Sequence, residues 1–142
     1  MFGLNEKKTE DVLFAPLSGK VLKIEEVPDP SFSQKMLGEG IAIEPTEGKV
    51  TSPVNGEIIQ VFPTIHAVGI RSESGLEILV HIGLDTVMMQ GEGFYAYVKE
   101  GDRVKMGQPL IDFSLDLVKK RAKSTITPLV ITNSEKIDFL EI

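Results

Sequence analysis

The stretch TIHAVGIRSESGLEILVHIGLDT, residues 64–86, contains two apolar runs that are separated by a short polar segment. Residues 66–71 and 76–82 are rich in β-branched and aliphatic side chains, which is typical of strands. The intervening Ser72-Glu-Ser-Gly75 supplies residue types that favour a tight turn. This stretch therefore predicts an antiparallel β-hairpin.

The same alternation of apolar runs and turn residues continues on both sides of the hairpin, with Gly, Pro, Asn or Asp at roughly every 8–12 residues. Together with the hairpin, strands are predicted at these segments: Lys20–Ile24, Gly40–Ile43, Glu57–Phe62, His66–Arg71, Leu76–Ile82, Phe94–Val98, Pro109–Phe113 and Thr125–Thr132. Many short strands at this spacing predict an all-β protein, an antiparallel sandwich with barrel character.

Two short peripheral helices are also predicted. Pro30–Leu37 follows Asp29, which has the side chain of an N-cap, and Pro30 suits the first helical position. Ser114–Lys123 places several cations near its C-terminal end, where the helix dipole favours them. That structural explanation is preferred for these cations over a binding patch.

An internal repeat supports the sandwich. Ala15-Pro-Leu-Ser-Gly-Lys-Val21 and Ser52-Pro-Val-Asn-Gly-Glu-Ile58 share one pattern, in which a Pro-to-Gly turn leads into an apolar strand. Gly101–Leu110 has a similar succession of turn and strand. The repeat predicts a pseudo-symmetric scaffold and carries no chemistry of its own.

The composition narrows the class of protein. The chain has 142 residues, 42% hydrophobic and 25% charged, a formal net charge of −6 and no cysteine. Disulfides, thiolate metal sites and cysteine nucleophiles are thereby excluded, and the acidic balance argues against nucleic acid and for basic partner surfaces. The charged first dozen residues do not resemble a signal peptide, and no apolar run approaches a membrane span. A soluble intracellular domain is expected.

The chain has two histidines, and both lie in the predicted hairpin. If Ser72 and Gly75 bracket the turn, His66 and His81 stand directly opposite each other, with Cβ atoms about 5 Å apart. Val68, Ile70 and Leu79 would then flank them, and Thr64 would lie within hydrogen-bond range. A bulge at Gly75 would shift this register by one residue.

Two imidazoles in an apolar surround suit transient phosphoryl storage. Burial keeps the rings neutral and nucleophilic, and excluding water protects a phosphohistidine from hydrolysis. A zinc hydrolase is an alternative, although Asp85 is the one nearby acidic candidate for a third ligand. A swinging-arm domain of the lipoyl or biotin type is a weaker alternative, because the sequence around Lys105-Met106 is not the one that the tip of such a domain needs. The last alternative is that both histidines are ordinary strand residues without a function.

The motifs that contain these residues resemble the enzyme IIA domain of the glucose family of the bacterial sugar phosphotransferase system. The resemblance extends from about residue 13 to residue 133 and is most specific in Leu79-Val-His-Ile-Gly-Leu-Asp-Thr-Val87. Other matching segments are Ala15-Pro-Leu-Ser-Gly19, Val27-Pro-Asp-Pro30, Lys35-Met-Leu-Gly-Glu-Gly-Ile-Ala-Ile43, Gly91-Glu-Gly-Phe94 and Lys123-Ser-Thr-Ile-Thr-Pro128. It implies an antiparallel sandwich of the duplicated hybrid motif type.

The resemblance also implies roles for residues. His81 would accept a phosphoryl group from the histidine phosphocarrier protein and pass it to a cysteine of a IIB domain. His66 would stabilise that group, and Thr64 would hydrogen-bond the histidine. The partner-binding surface would include acidic, apolar and glycine positions: Asp29, Asp85, Phe32, Met36, Phe62, Leu79 and Gly83. No cofactor is required, and no metal site is intrinsic, although zinc could bind His66 and His81 when a partner adds a ligand.

The partners implied are the phosphocarrier and the IIB domain of a membrane sugar permease, in the cytoplasm, without direct membrane insertion. The sugar is not specified. A regulatory module that binds other enzymes according to its phosphorylation state is the alternative function. The domain is expected at 13–142 after a short tail at 1–12, without the closing strand that usually follows Thr132-Asn133 in the family.

Overall fold

A computed structural model describes the backbone of residues 2–6 and 10–141 and the side chains of residues 12–135. In this part of the chain the strands are β1 (Phe2–Glu6), β2 (Glu10–Leu13), β3 (Gly19–Lys23), β4 (Glu39–Pro45), β5 (Lys49–Thr51), β6 (Gly56–Val61), β7 (Ala67–Ser72), β8 (Glu77–His81), β9 (Phe94–Ala96), β10 (Arg103–Val104), β11 (Pro109–Phe113), β12 (Thr127–Ile131) and β13 (Ile137–Glu141). The helices are α1 (Pro30–Ser33) and α2 (Leu115–Arg121), and 3-10 turns span Ile24–Glu26, Thr86–Met89 and Ser134–Lys136.

Every pairing among the described strands is antiparallel, which confirms the predicted all-β architecture. The largest sheet has seven strands in the order β10-β6-β7-β8-β12-β4-β3. A second sheet has the order β5-β11-β9, and a third has the order β13-β1-β2. The β7–β8 hairpin that carries both histidines thus lies in the middle of the largest sheet.

The internal repeat forms a pseudo-symmetric pair of contacts. The N–H of Phe14 donates to the carbonyl of Pro53 (3.0 Å), and the N–H of Thr51 donates to the carbonyl of Pro16 (2.8 Å). Pro16 and Pro53 hold the same place in the two repeats, as do Phe14 and Thr51. The repeated turns therefore bind each other reciprocally, as a local two-fold relation requires. This confirms that the repeat belongs to the scaffold.

The core has two parts. The main cluster packs Ile58, Ile70, Ile78 and Val80 against side chains such as Leu110, all fully buried. The second cluster contains Leu22, Ile24, Val27, Phe32, Ala42, Leu84 and Val130. Along β12, Leu129 and Ile131 belong to the main cluster and Val130 to the second. Because successive strand residues point to opposite faces, the large sheet is buried on both of its faces here.

Both helices exist, but they are shorter than predicted. The Asp29 carboxylate accepts from the Ser31 N–H (2.9 Å), which confirms the N-cap, yet α1 ends at Ser33 rather than at Leu37. Lys35, with φ at +59°, cannot continue a right-handed helix. The Ser114 hydroxyl caps α2 in the same way by accepting from Leu117. Neither described helix is long and apolar enough to cross a membrane.

The predicted segments correspond to strands β3, β4, β6–β9, β11 and β12, with ends displaced by at most two residues and both ends of β11 predicted correctly. Strands β5 and β10 were not predicted, because runs of three and two residues are too short to show a period. Within the expected tail at 1–12, β1 and part of β2 form strands, so that segment is paired rather than a simple tail. Beyond Thr132-Asn133 the chain forms β13, which pairs with β1, so a strand is present at the place where the closing strand was expected to be absent. The domain boundary stays a prediction.

Candidate functional site

The β7–β8 hairpin has a register one residue away from the predicted one. Ala67, not His66, stands opposite His81. The predicted direct opposition of the histidines is therefore wrong. The turn causes this shift in register. The N–H of Ser72 donates to the carbonyl of Leu76 (2.8 Å), which closes a loop of three residues. The last loop residue, Gly75, has φ at +95°, as a bulged three-residue hairpin loop requires.

The two imidazoles nevertheless meet. Their ring centroids are 4.9 Å apart, and the rings are tilted by 81°. His66 precedes the first residue of β7 and follows Ile65, whose φ is +57°, so strict strand alternation does not apply to it. Its carbonyl accepts from the N–H of Ile82 (2.7 Å), which keeps it at the end of β8. The predicted proximity of the histidines is confirmed, by a different geometry.

The register change also alters the neighbours of the histidines. Val68 and Ile70 stand opposite Val80 and Ile78 and pack in the main core. The prediction that Val68 and Ile70 flank the histidines is therefore wrong. Since Ala67 and His81 are a cross-strand pair, the small side chain of Ala67 lies beside His81.

One ring nitrogen of His81 is fixed by the backbone. Its Nδ1 lies 2.8 Å from the carbonyl oxygen of Gly83. A carbonyl oxygen only accepts, so Nδ1 of the neutral ring carries the proton and donates it. The lone pair of the neutral imidazole is consequently on Nε2. Nε2 is therefore the nucleophilic atom of His81.

His66 is held by a hydroxyl. The side chain of Thr64 forms a short hydrogen bond with Nδ1 of His66, which confirms the predicted contact. His66 is buried, with 5% of its surface exposed. This burial, with a smaller contribution from His81, lowers the pKa of His66 from 6.5 to about 4. His66 is therefore neutral at physiological pH.

The pKa of His81 is also lowered, chiefly by burial. The hydrogen bond to Gly83 and the negative charges of Asp29 and Asp85 oppose this effect. Both predicted carboxylates therefore act on His81 electrostatically. Asp85 lies at the end of the loop after β8, with φ at +61°, and Asp29 lies at the start of α1. Two elements far apart in sequence thus bring carboxylates toward the same ring.

Aromatic and aliphatic side chains surround the pair. The ring centroid of Phe32 is 5.3 Å from that of His81, and the ring centroid of Phe62 is 5.5 Å from that of His66. Leu79 packs against the second core cluster, which includes Phe32. Met36, predicted as part of the partner-binding surface, is 70% exposed. Met36 lies three residues after the end of α1, and its side chain faces solvent.

Some neighbours of the site were not predicted. Val87 and Met88 lie two and three residues after Asp85, in the 3-10 turn Thr86–Met89, and are exposed apolar side chains. Gly83 was expected to contact a partner, but it is buried and its carbonyl binds His81. The N–H of Gly83 donates to the hydroxyl of Thr127 (3.2 Å). No local pattern could reveal that bond, because its partners are 44 residues apart.

Among the side chains of residues 12–135, no three histidine, aspartate or glutamate side chains are grouped so that they could hold a metal ion. The two imidazoles provide two nitrogen ligands, whereas zinc in proteins usually takes four ligands. A metal at this place would therefore need further ligands from another molecule. The arrangement itself offers one free nucleophilic nitrogen, a second neutral imidazole and an apolar surround.

Comparisons with known proteins agree with this geometry. The sequence model of the family described as phosphoenolpyruvate-dependent sugar phosphotransferase system, EIIA 1, matches residues 11–137. A PTS system glucose-specific EIIA component from Bacillus cereus is 55% identical over 141 residues, covering 99% of this chain and 86% of the relative. Its counterpart from Halalkalibacterium halodurans is 53% identical over 148 residues, with the same coverage.

A solved structure supports the same assignment. The glucose permease IIA from Mycoplasma capricolum superimposes with a TM-score of 0.83 at 37% sequence identity, covering 92% of each chain. The two proteins therefore share a fold, a β-sandwich built from the antiparallel sheets described above. The family match covers most of this chain, including both histidines. This chain belongs to the EIIA 1 family of the phosphoenolpyruvate-dependent sugar phosphotransferase system and is a phosphoryl carrier in sugar uptake.

Proposed function

We propose that Nε2 of His81 accepts the phosphoryl group from the histidine of a phosphocarrier protein and passes it to a cysteine of a IIB domain. The observation that carries this proposal is the bond from His81 Nδ1–H to the Gly83 carbonyl. In the first step the donor N–P bond breaks and an Nε2–P bond forms. In the second step the Nε2–P bond breaks and an S–P bond forms. The proton on Nδ1 stays in place throughout.

His66 stabilises the transferred group. Its ring lies beside that of His81, and its Nδ1 is engaged by Thr64. When the Thr64 hydroxyl donates to Nδ1, the proton of His66 is on Nε2, from which it can donate to a phosphoryl oxygen. Such a fixed donor stabilises negative charge at little reorganisation cost. Because His66 is neutral, it binds the phosphoryl group more weakly than a charged imidazolium would, and the group can still be released.

The partner surface surrounds this pair. Asp29 and Asp85 supply negative charge, and Met36, Val87 and Met88 supply exposed apolar area. Such a patch fits a partner with basic residues around an apolar centre. Acidic residues at a rim mainly raise the association rate and orient the partner. This surface supports docking of both the phosphocarrier and the IIB domain, in the cytoplasm. His66 and His81 could also bind a zinc ion together with a carboxylate from a partner protein.

We infer glucose as the sugar, because the relatives from Bacillus cereus and Halalkalibacterium halodurans are called glucose-specific EIIA components. The test is transfer from the phosphorylated chain to purified IIB domains of permeases for different sugars. Rapid transfer to a glucose-permease IIB domain is expected. Equal or faster transfer to the IIB domain of another sugar would contradict this assignment.

The division of labour between the histidines is tested in the reconstituted relay. The chain is mixed with phosphoenolpyruvate, enzyme I and the phosphocarrier, and the bound phosphoryl group is counted by intact mass. His81→Gln should take up none. His66→Gln should still take it up but deliver it poorly to the IIB domain. A His66→Gln variant that delivers at the wild-type rate would exclude the role of His66 as stabiliser.

A further inference from the structure

The loop that follows β8 is held by three hydrogen bonds, one from within the loop and two from the segment 124–127. The Thr86 hydroxyl donates to the carbonyl of Ile82 (2.5 Å). The Gly83 N–H donates to the Thr127 hydroxyl (3.2 Å), and the Leu84 N–H donates to the Ser124 carbonyl (2.9 Å). The loop is therefore fixed on both sides of Gly83, whose own carbonyl accepts from His81.

These bonds define the direction of the Gly83 carbonyl. The C=O of Ile82 and the N–H of Gly83 belong to one planar peptide, which Thr86 and Thr127 hold at its two ends. The next peptide contains the C=O of Gly83 and the N–H of Leu84. A trans peptide points these groups in opposite directions, so bonding Leu84 to Ser124 turns the carbonyl away from Ser124 and toward His81.

Thr127 has both functions of its hydroxyl engaged. Its O–H donates to the carbonyl of Thr125 (3.0 Å), which leaves a lone pair that accepts from Gly83. The side chain is buried at the first position of β12. A valine has almost the same shape but cannot accept a hydrogen bond. It would leave the buried Gly83 N–H without this partner and release one end of the Ile82–Gly83 peptide.

We propose that Thr127, together with Thr86, is a positioning residue that maintains the proton of His81 on Nδ1. It acts through the Gly83 carbonyl and does not touch the phosphoryl group. The inference rests on the proposed function, in which the free Nε2 of His81 is the atom that takes up phosphate. When the Gly83 carbonyl moves, the proton can occupy Nε2 and block that atom.

The direct test is nitrogen-15 NMR of the imidazoles in the unphosphorylated chain, which distinguishes the two neutral tautomers. The wild type should show His81 protonated on Nδ1. Thr127→Val should show a mixture with the Nε2–H form, whereas Thr127→Ser, which keeps the hydroxyl, should resemble the wild type. The initial rate of phosphoryl uptake should fall roughly tenfold in Thr127→Val and recover in Thr127→Ser.

Ser52→Ala is the matched control. It also removes a buried hydroxyl, one that donates to the carbonyl of Val54 (2.6 Å), but it lies in the repeated turn. It should lower stability without altering the His81 tautomer. If Thr127→Val does not fold, Thr86→Val removes the support at the other end of the same peptide and is examined in its place.

The two proposals fail separately. If the tautomer and the uptake rate of folded Thr127→Val equal those of the wild type, the positioning role is excluded while the carrier function stands. If the wild type takes up no phosphoryl group, the proposed function fails. The NMR comparison then still decides whether Thr127 controls the tautomer. A shift toward Nε2–H in Ser52→Ala would also overturn the inference, because any buried hydroxyl would then have the same effect.

Discussion

At the scale of single residues, the two histidines differ because their Nδ1 atoms have different partners. A backbone carbonyl can only accept, and it therefore determines the tautomer of His81. A hydroxyl can donate or accept, so Thr64 leaves His66 able to adopt the tautomer that the bound group requires. The site thus needs a constant nucleophile on one ring and, on the other ring, an N–H that can donate to the bound phosphoryl group. This pair of hydrogen bonds provides both.

The lowered pKa of the histidines predicts a pH-dependent stability. His66 binds a proton near pH 6.5 in the unfolded chain but only near pH 4 in the folded chain. The unfolded state therefore binds more protons in this interval, and the free energy of unfolding should fall as the pH drops through it. The loss should be on the order of 1–3 kcal/mol, measured by urea unfolding at pH 7, 5.5 and 4.5.

His66→Gln is the control for that pH series. It should show a flatter dependence between pH 6.5 and 4.5, with a remainder from His81, whose pKa is lowered in the same direction. Among the described side chains, the carboxylates with lowered pKa are Glu25 and Asp102. Their ordinary pKa values are 4.5 and 3.8, so their contributions are lost mainly below this interval. An unchanged slope in His66→Gln would show that His66 is not the titrating group.

Gly83→Ala tests the close packing under His81. Gly83 has φ at +67°, and an added Cβ would lie 2.7 Å from the Thr86 methyl group and 2.8 Å from the Ser124 carbonyl oxygen. We expect a loss of on the order of 3 kcal/mol in the free energy of unfolding, together with much slower phosphoryl uptake.

Gly101→Ala separates the clash at Gly83 from backbone strain. Gly101 also has a positive φ, at +94°, but nothing lies within 4 Å of the added Cβ. It should lose about 1 kcal/mol and keep full uptake. Equal losses in the two variants would show that the clash contributes nothing. Normal uptake by Gly83→Ala would contradict the role of the Gly83 carbonyl.

At the scale of secondary-structure elements, the four-residue helix α1 brings Phe32 to the site, and its N-cap Asp29 brings a carboxylate. Asp29 has two separable functions there, because its side chain caps the helix and its charge acts on His81. Asp29→Asn should keep the cap and the stability. Phosphoryl transfer from the phosphocarrier should slow a few-fold at low salt, with the difference shrinking at high salt.

Asp29→Ala removes the cap as well as the charge. It should slow transfer to a similar extent and also lower the free energy of unfolding by about 1 kcal/mol. Stopped-flow transfer rates at two salt concentrations and urea unfolding of both variants separate the two effects. A salt-independent defect in Asp29→Asn would show that the charge does not guide docking.

The hairpin shows how far the sequence predicts such elements. The apolar runs and Ser72–Gly75 correctly predict two strands and a turn, because period and turn chemistry are local properties. The register was missed by one residue, since Gly75 can either end a two-residue turn or close a three-residue loop. The proximity of His66 and His81 survived that error because His66 lies beyond the regular strand.

At the scale of the whole molecule, the repeated turns organise the fold, and the site lies elsewhere. Reciprocal hydrogen bonds at Pro16 and Pro53 join the two repeated turns to each other. The repeat itself is visible in the sequence. The contacts that complete the site could not, because they join distant segments. Thr127 reaches Gly83 from another strand, and α1 brings Phe32 against His81. Only the three-dimensional packing shows these neighbours.

The most direct test of the carrier mechanism is to locate the phosphoryl group on a single atom. The chain is phosphorylated through enzyme I and the phosphocarrier, mapped by peptide mass at alkaline pH, and examined by phosphorus-31 and nitrogen-15 NMR. One phosphoryl group on Nε2 of His81, with Nδ1 still protonated, is the expected result. Phosphate on Nδ1 of His81 would contradict the mechanism, because the Gly83 carbonyl binds that atom in the structure. Phosphate on His66 would contradict it as well, because His66 would then be the acceptor and not the stabilising ring.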